Sequence, residues 1–490
     1  MNEFLHEMKA ATNYTNTENG ALTHRSTLNK VLDMFALGGS YRKRSNSDCI
    51  VLFQDAYNVD KTLAVKCLFY LRDARGGQGE RRFFRVCFNW LCQNYPDHAR
   101  QLVNEIPTFG RYDDMLFATE NTSVFECALN LVKEQLALDV QCKTPSLLAK
   151  WLPSENASSI TTKRMATKVR QSLNMTNRQY RKTLSILRQR INVLERLMSS
   201  NQWDKIEFDK IPSRAGFIYR NAFARRDIIA KQYEAFAKSA ETKVNAKVLY
   251  PHEIAQQAFN CRTQPGSVDR EMIQKYWDNL PNYYGSREEN GLAVVDVSGS
   301  MYGTPLEVAV SLGAYVAEKA HGPFANHFVT FSERPQLVEF SGVDITDKFK
   351  RAENAEWGMN TNIAAVFDLL LNTALCTGAK KEDMPTRLYI FSDMEFDYAA
   401  TGSRGTPLNK NHMNTLLESI KNKWQQAGYE LPQVVFWNLD ARNNNIPAIG
   451  PGFSYVSGFS PSMIETILSG KDGIDLMLEK LMSDRYKSIN

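Results

Sequence analysis

Asp296-Val297-Ser298-Gly299-Ser300 gathers one carboxylate and two hydroxyls within five residues, directly after the apolar run 292–295. Hard oxygen donors of this kind suit a divalent cation: Mg²⁺ first, with Mn²⁺ or Ca²⁺ as alternatives. Asp and Ser are also common turn residues, so the pentapeptide needs its context. Thr361 stands just ahead of an apolar segment, and Asp393 follows Leu388-Tyr389-Ile390-Phe391-Ser392. If Asp296, Ser298, Ser300, Thr361 and Asp393 meet, two carboxylates and three neutral oxygens surround one cation. That shell leaves the cation electrophilic, with room for an acidic side chain from a protein partner. Glu395 and Asp397 add charge at the rim.

The elements that must position these residues alternate in type. The run 292–295 reads as a buried strand. A helix follows, with Pro305 near its start and Leu306, Val308, Ala309, Val310, Leu312, Val316 and Ala317 on its apolar faces. Further strands are predicted at 327–331, 388–391 and 434–437, with an apolar helix over 363–371. Short β-branched runs alternating with amphipathic helices imply a doubly wound parallel sheet. The C-terminal strand tips of such a sheet gather on one edge, where open α/β folds hold their ligands.

Ahead of this region the pattern is helical, with candidate helices over 62–75, 81–94, 124–137, 147–152, 177–198 and 215–240. Short helices joined by turns predict a HEAT-like or other all-α array. The expected organisation is therefore a flexible segment over 1–25, a basic all-α domain over 26–285 and an α/β domain over 286–490. Charge follows the same division: residues 291–490 hold 17 Lys+Arg against 23 Asp+Glu, and residues 1–290 hold 42 against 31.

The basic half contains a run, 161–190, with nine cations and no acid: Lys163, Arg164, Lys168, Arg170, Arg178, Arg181, Lys182, Arg188 and Arg190, with Tyr180 between them. Arg220 and Arg225 continue the theme. Arg and Lys neutralise phosphates and an aromatic ring can stack on an unpaired base, so RNA is the expected ligand of this half. Arg75-Gly76-Gly77-Gln78-Gly79-Glu80-Arg81-Arg82 is glycine-rich, but it lacks a following Lys-Ser/Thr and reads as a structural turn.

Composition excludes several classes. At 490 residues, 43% hydrophobic and 23% charged, the sequence is that of an ordinary globular protein with no membrane-length apolar run. The N-terminal stretch lacks the pattern of a secretory signal. Eight cysteines without a Cys-x-x-Cys pair read as reduced residues of a cytoplasmic protein, in the host cytoplasm if the gene is viral. No Ser-His-Asp arrangement is readable and the seven histidines form no cluster, so no catalytic residue is assigned.

The Asp-x-Ser-x-Ser, Thr and Asp set over residues 291–490 resembles the von Willebrand factor A fold and its metal-ion-dependent adhesion site. The resemblance implies that Asp296, Ser298, Ser300, Thr361 and Asp393 coordinate one divalent cation. A basic helical half ahead of such a domain is similar to the TROVE architecture of the Ro autoantigen proteins, which implies binding of single-stranded or small structured RNA. Over nearly the whole chain, Arg72-Asp73-x-Arg75-Gly76-Gly77-x-Gly79-Glu80-Arg81, Lys150-Trp151-Leu152-Pro153-Ser154, Asp296-Val297-Ser298-Gly299-Ser300-Met301-x-Gly303-x-Pro305 and Phe391-Ser392-Asp393-Met394-x-Phe396-Asp397 are similar to an uncharacterised family. That family, a domain of unknown function, occurs in plants, fungi, large viruses and phages. The expected function is a non-enzymatic ribonucleoprotein scaffold with a metal-held protein partner. The alternative is a metal-dependent adaptor or assembly factor without RNA.

Overall fold

A computed structural model describes residues 8–9, 12–191, 193–331, 334–353, 362–397 and 416–490. The chain is predominantly helical, with an N-terminal helical region and a C-terminal mixed sheet of six strands. Among the described residues, no helix is long and apolar enough to cross a membrane.

Its contacts divide the chain into two compact units: residues 1–67 with 249–483, and residues 68–248 with 484–490. This division differs from the expected boundary near 285, because helices on both sides of the basic region belong to the unit that holds the sheet.

In the first unit the sheet runs β5(Gln336–Glu339)-β4(His327–Phe331)-β3(Gly291–Asp296)-β6(Arg387–Ser392)-β7(Gln433–Asn438)-β8(Phe453–Ser457). Every neighbouring pair is parallel except β4 with β5. Strands β3 and β6 are buried along their whole length, which is why their sequences are continuous apolar runs rather than alternations. The order turns back on itself at β3, which lies between β4 and β6. Such a switch point opens a crevice at the strand tips. Leaving β3, the chain turns through Gly303, whose φ of 93° favours glycine, into the helix Thr304–Lys319 with Pro305 in its first turn.

Residues expected to be flexible carry a hairpin: β1(Tyr14–Asn16) pairs antiparallel with β2(Leu22–His24). His24 also bridges to Ile446. Asn29 then caps the helix Lys30–Leu37, accepting from the amides of Val31 and Leu32. That helix is tied to β8: Ser457 Oγ donates to the Phe35 carbonyl at 3.0 Å and accepts from the Gly39 amide at 2.9 Å. From the other side, the helices Pro251–Asn260 and Val268–Asp278 join the same unit. Trp277 Nε1 donates to Glu318 at 2.6 Å, and Arg270 pairs with Asp344.

The second unit is helical. Arg81–Asn94 forms as the periodicity predicts, but two expected long helices are each broken in two. Asn177–Arg190 is followed by Leu194–Ser199, and Ser213–Ala224 by Asp227–Lys238. In the second case Arg226 adopts extended dihedrals between the two helices. The glycine-rich segment is a structural turn, as expected. A Cβ on Gly77 would lie 1.9 Å from the Tyr70 carbonyl oxygen, so only glycine fits. Gln78 Nε2 donates to Tyr70 Oη at 2.8 Å, and the Glu80 carboxylate caps Arg81–Asn94. Buried ion pairs brace this turn. Arg72 donates to Asp114 at 2.8 Å through Nε and 2.5 Å through Nη2, Arg85 reaches the other Asp114 oxygen, and Asp73 pairs with Arg485.

Asp114 is fully buried between Arg72 and Arg85, so Asp114→Ala strands a buried guanidinium. Breaking such a pair costs roughly 3–5 kcal/mol. Urea unfolding of Asp114→Ala is expected to show a loss of that size; a change within experimental error would contradict the bracing role.

Candidate metal centre

Strand β3 ends in Asp296, which is fully buried at the sheet's C-terminal edge. Its Oδ1 accepts from the Ser298 amide at 2.9 Å, a tight turn that aims the next residues back over the strand tip. Its Oδ2 accepts from Ser392 Oγ at 2.5 Å, and Ser392 is the last residue of β6. This bond ties together the two strand tips that flank the switch point. Ser298 Oγ lies 2.9 Å from Ser300 Oγ, with Ser298 buried and Ser300 half-buried.

Asp393 follows Ser392 and is also buried. Met394 adopts φ 66°, a left-handed conformation uncommon for a side-chain-bearing residue. The reversal returns the Glu395 amide to Asp393 Oδ1 at 3.2 Å and the Met394 amide to Ser392 Oγ at 3.0 Å. Burial, and then the neighbouring Asp393 carboxylate, push the Asp296 pKa up to about 7; the hydrogen bonds from Ser392 and Ser298 work against that rise.

Asp296 and Asp393 therefore meet as two buried carboxylates with the Ser298 and Ser300 hydroxyls beside Asp296. Thr361 lies outside the described residues. Asn362, next to it, accepts from the Ala365 amide and caps the helix Ile363–Thr377, which outlasts the expected 363–371. Among the described residues, no group of three or more His, Cys, Asp or Glu side chains is arranged to hold a metal. The donor set here is instead half hydroxyl. Two buried carboxylates and two hydroxyls fit a small hard cation.

Several rim residues were not singled out by the sequence. Arg442 Nη2 donates to Asp393 Oδ2 at 2.9 Å, and its Nη1 lies 2.8 Å from Glu18 Oε2. Asn443 Nδ2 reaches Glu395 Oε1 at 2.9 Å and Glu18 Oε1 at 3.0 Å. Burial raises the Glu395 pKa, against bonds from the Glu18 amide and Asn443. Asp397, the other expected rim residue, is half-buried and bridges to Gly20. No local pattern marks Arg442 or Glu18, because each reaches the site from a distant part of the chain.

The expected nucleic-acid residues divide into two groups. Tyr180 is buried, with Oη donating to the Pro153 carbonyl at 2.9 Å, so its ring offers no stacking face. Arg188 donates to the carbonyls of Ala149 and Leu152 and to Ser154 Oγ, which gives the Lys150-Trp151-Leu152-Pro153-Ser154 motif a structural task. Lys168 pairs with Glu120, Arg170 with Glu155, Arg190 with the Val140 carbonyl, and buried Arg220 with the Phe217 carbonyl. Lys163, Arg164, Arg178, Arg181, Lys182 and Arg225 are exposed, as is Arg190, and Arg181 Nε donates to the Asn177 carbonyl at 3.3 Å. Arg178, Arg181 and Lys182 share one helix face by their spacing.

The fold and site together define an α + α/β protein with an oxygen-lined strand-tip centre. Two families, each described as a domain of unknown function, account for most of its length: DUF2828 matches residues 17–109 and 144–281, and DUF7788 matches residues 290–488. Uncharacterized protein L728 of Acanthamoeba polyphaga mimivirus is 31% identical over 507 aligned residues, which cover 94% of this chain and 85% of that protein. The chain belongs to this uncharacterised family, which has a viral member.

The raised pKa of Asp296 has a consequence for the metal-free protein. The unfolded carboxyl releases its proton near 3.8 and the folded one near 7, so the folded state holds an extra proton between them. Stability from this group is then present at acid pH and lost as pH rises through about 7. With a chelator present, melting temperatures from pH 5 to 8 are expected to fall less for Asp296→Asn than for the natural protein. Identical pH profiles would remove Asp296 as the cause.

Proposed function

We propose that this protein is a non-enzymatic interaction protein whose C-terminal part is a von Willebrand A-like domain. On this reading Asp296, Ser298, Ser300 and Asp393, with Thr361 as a fifth ligand, hold one divalent cation, Mg²⁺ by preference. The cation receives an acidic side chain from a protein partner. The observation that carries the reading is the Ser392–Asp296 hydrogen bond, which joins the tips of β3 and β6 at the switch point and sets Asp393 beside Asp296. A strand order with one antiparallel edge and helices between the parallel strands supports the same fold. Ser298 Oγ lies beside Ser300 Oγ at the Asp296 carboxylate, two neutral oxygens next to a charged one, which supports binding of a hard cation. Free, mostly buried cysteines support a reducing, cytoplasmic setting.

Titration calorimetry with Mg²⁺ tests the centre. Binding is expected for the natural chain and a loss of tenfold or more for Asp296→Ala. Equal affinity in the two would remove the strand tip as the metal site.

RNA binding is the second reading, favoured by the exposed cations Lys163, Arg164, Arg178, Arg181, Lys182 and Arg225. It corresponds to a TROVE-like scaffold in which a HEAT-like array carries single-stranded or small structured RNA. It stands second because the other six expected contacts, and also Arg181 through the Asn177 carbonyl, already bond within the protein. Fluorescence anisotropy with single-stranded RNA across a salt series is the test. Each phosphate contact contributes about 0.7 to the log–log salt slope of a single strand. Replacing Arg178, Arg181 and Lys182 by Gln is expected to lower the slope by about 2. No binding at low salt would reject this reading.

A further inference from the structure

The strand-tip centre already faces a positive charge. Arg442 spans Asp393 and Glu18, with one guanidinium nitrogen on each carboxylate. Glu18 belongs to the turn between β1 and β2, and that turn is fastened to the loop after β6 by several bonds. The Glu18 amide donates to Glu395 Oε2 at 2.7 Å, Asn19 Nδ2 to the Glu395 carbonyl at 2.7 Å, and Thr17 Oγ to the Phe396 carbonyl at 2.6 Å. Gly20 bridges to Asp397. The hairpin thus holds Glu18 where it fixes Arg442 against a carboxylate of the centre.

We propose that Arg442 is a built-in counter-cation of the strand-tip centre, tethered by Glu18, and that it competes with a divalent cation for Asp393. This rests on the metal-binding reading above and deepens it. The physical reason is direct: a dication beside Asp393 repels a guanidinium held on the same carboxylate, and each weakens the other's hold. A metal that repels Arg442 from Asp393 shifts the guanidinium that Glu18 also holds, and so disturbs the hairpin turn that the Arg442–Glu18 pair secures. The centre is thereby stable without metal, and its metal state is coupled to the N-terminal hairpin. Arg442 is a positioning residue in the metal-free protein.

The experiment is Mg²⁺ calorimetry on the full chain for the natural protein, Arg442→Met and Arg442→Lys, with hydrogen exchange of the Glu18 amide in the natural protein with and without Mg²⁺. Competition is expected to make Arg442→Met bind Mg²⁺ at least tenfold more tightly, to leave Arg442→Lys within about threefold of the natural protein, and to speed Glu18 exchange severalfold on Mg²⁺ saturation. Weaker or unchanged Mg²⁺ binding in Arg442→Met would instead assign Arg442 a purely structural task and overturn the proposal. Unchanged or slower Glu18 exchange would overturn it without any variant. Mg²⁺ binding to Arg442→Met but not to the natural chain supports it. Absence of binding in all three proteins would bring down the metal-binding reading and this inference together, whereas binding that ignores Arg442 would overturn this inference alone.

Discussion

Two carboxylates buried side by side at the switch point of a sheet set the central constraint on this molecule. Asp296 and Asp393 are each almost wholly removed from water, and like charges in such a place need compensation. The protein supplies it in layers. The Ser298 amide and the Ser392 hydroxyl bond Asp296, the Glu395 amide and the Arg442 guanidinium bond Asp393, and Glu18 and Asn443 hold the next ring. Each layer draws on a different stretch of sequence.

That constraint also accounts for the make-up of the first unit. A strand-tip site needs its loops fixed, and the loops after β6 and β7 are fixed by the N-terminal hairpin: Thr17 and Asn19 bond the backbone of one, and Thr23 and His24 that of the other at Ile446. The helix Lys30–Leu37 then anchors the same N-terminal stretch to β8 through Ser457. Residues far ahead of the sheet in sequence are therefore part of its architecture. The family boundaries, with one match ending at 281 and another beginning at 290, follow the sequence and not this packing.

Much of the sheet was legible beforehand. Strands β3, β4, β6 and β7 read as short apolar runs because burial on both faces demands them. Strand β8 did not: Phe453-Ser-Tyr-Val-Ser is short and follows a segment rich in Gly and Pro. Edge strand β5 has only two apolar residues between polar ends and carried no strong signal. The Asp-x-Ser-x-Ser motif and Asp393 were legible because residues at the tip of an apolar strand have few roles. Arg442 and Glu18 were not, since an isolated Arg or Glu in a loop looks like any solvated charge until the fold joins them. The hairpin was missed for a related reason. Its polar residues bond other loops instead of burying an apolar face, so periodicity has nothing to detect.

Charge counted along a sequence is also not charge offered to a ligand. The acid-free run over 161–190 looked uniform, yet its members do different work. Arg188 closes the carbonyls at the end of a short helix, and Lys168 and Arg170 pair with Glu120 and Glu155 brought from earlier turns. An Arg that satisfies buried carbonyls cannot be withdrawn for a phosphate without leaving them unpaired, a penalty of about 1–3 kcal/mol each. Arg178, Arg181 and Lys182 are under no such obligation to buried groups: they stand on the exposed face of Asn177–Arg190, whose opposite face is buried through Tyr180, Leu184 and Leu187. Any phosphate recognition by this half must begin with cations of that second kind. The run's value as an RNA signal is therefore set by its few solvent-facing members rather than by its length.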